Sequence, residues 1–158
     1  MSDRILAVAR RALLVIVVLA MLGVLLELLL LEHFEDVWQL TPLVLLVLGL
    51  LVIVWHARAR TIWSARTLRA VMTLSVVTGL LGVFLHYRGN VEFELEENPN
   101  ATRWALFREA MMGATPALAP GVMVQIGLLG LVYAFLSGTK MADVRRQNSE
   151  FRKDSSEF

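Results

Sequence analysis

The stretch ALLVIVVLAMLGVLLELLLL, residues 12–31, decides how this chain folds. It is apolar throughout except for Glu27. A helix rising about 1.5 Å per residue needs roughly 20 apolar residues to cross the hydrocarbon of a bilayer. The run therefore predicts a membrane span that starts past Arg10 and Arg11 and stops at Glu32. Three further apolar runs follow it, and the four predict spans at roughly 12–31, 38–56, 70–87 and 118–138. With 57% hydrophobic residues, the 158-residue chain lies well above the apolar share of a soluble domain. The spans use so much of the length that no separate soluble domain fits beside them, and residues 1–158 read as one membrane domain.

The connectors alternate in charge. Arg4, Arg10 and Arg11 precede the first span, and Glu32, Glu35 and Asp36 follow it. Arg58, Arg60, Arg66 and Arg69 join the second span to the third, while Glu92, Glu94, Glu96 and Glu97 follow the third. The tail after the fourth span returns to Lys140, Arg145, Arg146, Arg152 and Lys153. One side thus holds twelve basic and five acidic residues, and the other three basic and eight acidic. Basic loops stay in the cytoplasm, so both termini are expected there, in a bacterial-type inner membrane. The N-terminal segment lacks a small-residue cleavage site and reads as a retained anchor. Topology explains the middle-loop arginines, although with Trp63 they could also hold anionic lipid headgroups. The fold class predicted is an all-α membrane protein, a four-transmembrane-helix bundle with N-in/C-in topology.

Outside the membrane, residues 88–117 form the longest connector. Arg88-Gly89-Asn90 reads as a turn. From Val91 to Glu96 apolar and acidic residues alternate, which predicts a short external extended segment with Glu92, Glu94 and Glu96 on one face. Asn98-Pro99-Asn100 then predicts a helix start capped by Asn100. Trp104, Phe107, Met111 and Met112 follow at helical spacing, as in an external interfacial amphipathic helix. Pro116 and Pro120 break the chain before the last span, which should begin near Pro120. Gly79 and Gly82 in the third span, with Gly127 and Gly130 in the fourth, would let helix backbones approach closely. The tail, 139–158, reads as a short helical extension that frays.

Candidate chemistry gathers at the acidic, outer end. A carboxylate inside an apolar span costs a few kcal/mol and normally finds a partner or a cavity. Glu27 is such a group, one to two turns below the outer end of its helix. Gln125 lies at a comparable depth in the last span and is one expected partner, as is Thr78. His33 follows the first span and His86 ends the third. Glu27, Glu32, His33, Asp36, His86 and Gln125 therefore form a candidate polar or ligand cluster, with Glu92, Glu94 and Glu96 as secondary carboxylates. His33 and His86 with these carboxylates suit a divalent metal, or the two imidazoles a haem, and Glu27 a proton relay or a quinone head. No His-Glu-x-x-His or repeated Glu-x-x-His spacing is present, so no cofactor is expected by default. His56 sits on the opposite side, beside Arg58, and reads as an interface residue.

Several functions are excluded. There is no cysteine, hence no disulfide, thiolate ligand or cysteine nucleophile. Ser75 and Ser137 have no histidine at matching depth for a nucleophilic triad. No glycine-rich phosphate loop and no nucleic-acid partner are expected. The cytoplasmic half of the spans carries no charge, which argues against ion transport across the bundle. Two classes remain. The favoured one is an accessory or scaffold subunit of a larger membrane complex, with the lipid bilayer and either a membrane-protein partner or a second copy as neighbours. The alternative is an outward-facing metal-, haem- or quinone-binding protein; an enzyme is a weaker third.

Overall fold

The computed structural model describes the backbone of residues 2–113 and 116–154 and the side chains of residues 3–113 and 116–137. Five helices follow one another: α1 (Ser2–Leu30), α2 (Val37–Ala59), α3 (Ile62–Glu97), α4 (Arg103–Met112) and α5 (Gly121–Asp154). No strand occurs among the described residues. Three helices, Asp3–Leu30, Val37–Ala59 and Ile62–Glu97, are long and apolar enough to cross a membrane. The apolar part of α5 is shorter, Gly121–Ser137. The basic side chains expected in the tail lie outside the described side chains.

Each helix end has a local cause. After α1 the amide of His33 reaches the carbonyl of Leu28 and that of Glu32 the carbonyl of Leu29. Glu32 takes the left-handed conformation (φ 51°) that this helix stop requires. Asp36 then caps α2, its carboxylate accepting from the amide of Gln39 at 2.9 Å. At the other end of α2, Arg60 is left-handed (φ 49°) and its amide bonds the carbonyl of His56. Thr61 immediately starts α3 through a reciprocal capping box with Ser64. Such a short connection forces α2 and α3 into an antiparallel hairpin.

The helices pack as a ring: α1 against α2, α2 against α3, α3 against α5, and α5 back against α1. The core consists of Val17, Met21, Leu46, Ile53, Leu68, Met72, Ile126, Tyr133 and Ala134, all buried. The tightest seam is α3 against α5. A Cβ placed on Gly79 would lie 2.7 Å from the backbone nitrogen of Val124, and one on Gly127 2.6 Å from the carbonyl oxygen of Met72. These two glycines let the backbones touch, as the sequence predicts.

The connector between the third and fourth apolar runs differs from its sequence reading. Residues 91–96 are not extended, and Arg88-Gly89-Asn90 is not a turn: both belong to α3, which runs unbroken to Glu97. Six alternating residues are too few to outweigh Glu and Leu, strong helix formers, added to a helix already nucleated in the span. Arg88 and Glu92 clasp one turn apart at 2.8 Å, support available only in a helix. The helix stops where Pro99 disfavours helical geometry at Asn98. Of the expected 88–117 loop, 88–97 is therefore helix. Thr102, not Asn100, caps α4, its hydroxyl accepting from the amide of Ala105. At about 1.5 Å per residue, the 36 residues of α3 reach roughly 54 Å, well beyond the hydrocarbon thickness. α4 packs on this protruding part of α3. The last helix begins at Gly121, directly after Pro120, as expected.

Candidate functional site

The end of the bundle at which α1 stops brings His33 and His86 together. Their ring centroids are 6.4 Å apart and the rings are inclined by 56°. His33 reaches this position because the α1 stop turns the chain at Glu32, and His86 because α3 carries it to the same edge. Nδ1 of His86 lies 3.4 Å from the carbonyl oxygen of Pro116. A carbonyl only accepts, so in this long contact Nδ1–H is the donor and Nε2 is left outside it.

The other expected members do different work. Asp36 is engaged as the cap of α2. Glu32 is exposed in the left-handed stop of α1. Glu92 pairs with Arg88, and Glu94 and Glu96 lie further out along α3. Glu27 and Gln125 both sit on exposed faces of their helices, and no hydrogen bond joins them among the described residues. Among the described residues, no three His, Cys, Asp or Glu side chains stand close enough to hold a metal ion. What converges is an imidazole pair, not a closed ligand set.

Two polar centres escaped the sequence reading. Asn90 is buried where α4 meets α3, and its amide donates to the carbonyl oxygen of Ala110 at 2.8 Å. A Cβ on Gly113 would lie 2.8 Å from Cγ of Asn90, so the end of α4 closes over this side chain. Nearby, the Tyr87 and Phe107 rings pack 6.1 Å apart and Phe107 stacks on Trp104 at 5.6 Å. The second centre is His56, read from the sequence as an interface residue but only 1% exposed, at the opposite end of the bundle.

At His56 the ring nitrogen Nδ1 joins the capping box through Ser64. Ser64 Oγ donates to the carbonyl of Thr61 at 2.9 Å and accepts from the amide of Thr61 at 3.1 Å. With its one proton given to Thr61, it accepts from Nδ1–H of His56, 2.9 Å away, an assignment that leaves Nε2 as an acceptor. Nε2 is buried without a partner among the described residues, as is Ser137 Oγ. The His56 ring stands edge-on to Tyr133, with centroids 6.0 Å apart. A Ser three residues after Thr61, just past the second span, is the sequence signal of the capping box that organises this node.

No family model matches the chain, and neither a curated protein nor a solved structure was found to be similar to it. Its function must therefore be read from its own residues.

Proposed function

We propose that this chain is a subunit of a larger membrane assembly and that the outward face of α1 docks a neighbouring membrane helix. The observation carrying this reading is the exposure of Glu27 within the otherwise apolar run 12–31 of α1. Leu22, Leu26 and Leu30 around it are exposed as well. In lipid, a carboxyl group about 6 Å below the end of the apolar run costs free energy unless a donor meets it. Gly23, one turn earlier, has nothing within 4 Å of a Cβ, which leaves room there for another backbone. A helix bringing a hydrogen-bond donor to this level would satisfy Glu27 and cover the leucines.

The wider frame of the proposal is a four-span bundle with both termini in the cytoplasm, α5 completing the spans. The side-specific charges of the connectors support it. In that frame His33 and His86 face outward, the α2–α3 hairpin faces the cytoplasm, and α4 lies at the outer interface with Trp104 exposed toward it.

The test is extraction in a mild detergent with and without Glu27→Leu. The wild-type chain should purify in a species heavier than its own 17.7 kDa plus detergent. The variant should melt at the same or a higher temperature yet run as the single chain. A variant that unfolds would show that Glu27 serves the fold of its own chain, contrary to this reading.

A second reading is favoured by one observation, the approach of His33 to His86. The two imidazoles, with Nε2 of His86 free, fit a transition-metal ion whose remaining positions are taken by water, or the axial pair of a haem. Elemental analysis and an absorbance spectrum of the purified protein decide it. Stoichiometric metal or a haem band, lost in His86→Ala, supports this reading, and neither signal removes it.

A further inference from the structure

Glu27 is not the only polar group left on the outside of the bundle. Gln125, also exposed, interrupts the apolar part of α5. The two groups have complementary chemistry, since a carboxylate only accepts and a carboxamide carries two N–H donors. They also share a level. Glu27 precedes Leu31, the end of its apolar run, by four residues, and Gln125 follows Gly121, the start of α5, by four. Each is therefore about 6 Å from the same end of the bundle. Finally, α1 and α5 are neighbours in the ring.

These relations fit one symmetry operation. A two-fold axis along the membrane normal keeps every residue at its own depth and exchanges left with right across the contact. Where the face bearing α1 and α5 meets a copy of itself, α1 lies against the second copy's α5, and α5 against the second copy's α1. We propose that the chain forms a homodimer of this kind, in which the Glu27 carboxylate of each copy accepts from the Gln125 amide of the other. The contact is isologous, so both polar groups of both copies are satisfied at once and no open surface is left to propagate. The exposed Leu22 and Leu26 of α1 and the exposed Leu128 and Val132 of α5 supply apolar packing around the two bonds. The proposal rests on the reading of α1 as a docking face and names the occupant as a second copy.

The absence of native cysteine makes a direct test available. Full-length chains carrying Glu27→Cys and Gln125→Cys, differently tagged, are produced together and the membranes are treated with a mild oxidant. The mixed disulfide-linked dimer should form in clear excess over self-linked product of either chain, because like positions lie apart in this arrangement. In parallel, Glu27→Leu should run as a monomer, and the exchange Glu27→Gln with Gln125→Glu should restore the dimer. A wild-type dimer without the mixed cross-link overturns the proposal and leaves the docking reading standing. So does a wild-type chain that purifies singly but bound to other membrane proteins. A wild-type chain that is monomeric and free of partners overturns both.

Discussion

Gly127 and Gly23 are the same residue in two opposite surroundings. Gly127 lies in the α3–α5 seam, where an added Cβ would come within 2.6 Å of the carbonyl oxygen of Met72. Gly23, on α1, has nothing within 4 Å. The seam is finished: its backbones touch and its side chains interlock with Met72 and Val76. The α1 face is open and carries a carboxyl group with no partner in its own chain among the described residues. In a bilayer, lipid can cover leucines but cannot hydrogen-bond Glu27 within the hydrocarbon. The difference between the regions is thus one of polarity more than of packing, and it points outward from α1.

Equal substitutions at the two glycines should have very unequal effects. Gly127→Val should overpack the seam against backbone atoms, costing about 3 kcal/mol, the upper end for an overfilled core. Gly23→Val should leave the melting temperature of the isolated chain within the ordinary scatter of surface changes, about 0.5 kcal/mol, and act only on assembly. Similar losses of stability from the two would erase the distinction. Detergent melting followed by circular dichroism reads both.

A smaller effect is expected at Asn90, which ties α4 to the protruding part of α3. Asn90→Ala removes the donor to the buried Ala110 carbonyl and should cost about 1–3 kcal/mol. The loss should be local. Amide hydrogen exchange should rise in α4 while the seam remains protected, and uniform exchange across all helices would contradict that division. The smallest effect is expected at His56. Its bond to Ser64 contributes about 1 kcal/mol, but the unpartnered Nε2 costs a similar amount, so His56→Leu should be nearly neutral by melting temperature. A loss of several kcal/mol would mean that Nε2 has a partner in the native membrane.

Much of this architecture was legible in the residues and some of it could not be. The long apolar runs, the breaking prolines before α5 and the glycines of the seam each follow from backbone chemistry that does not depend on the rest of the fold. His33 and His86 were placeable together because each follows an apolar run that reaches the same end of the bundle, although α3 itself continues past His86 to Glu97. The faces of the helices were not legible. In the 12–31 run every position but Glu27 is apolar, since core and lipid make the same demand, so no periodicity tells which side of the helix Glu27 occupies. The Val91–Glu96 segment misled because its alternation is real but short, and continuation of an existing helix outweighs it. Asp36 illustrates a competing role: the carboxylate read as a ligand stands three residues before Gln39 and caps α2 instead. His56 and Asn90 become special only through tertiary contacts, with Ser64 and Ala110 respectively.

Docking on α1 requires its outward face to be covered by protein in the native membrane. A spin label at Leu26→Cys keeps Glu27 intact and, in the isolated chain, occupies a position that is 58% exposed. Leu51 on α2, 63% exposed, serves as the lipid-facing reference. In native membranes the label at 26 should be immobilised and shielded from dissolved oxygen while the label at 51 stays mobile and accessible. If the two labels behave alike, mobile and open to lipid, α1 faces the bilayer and the account is wrong.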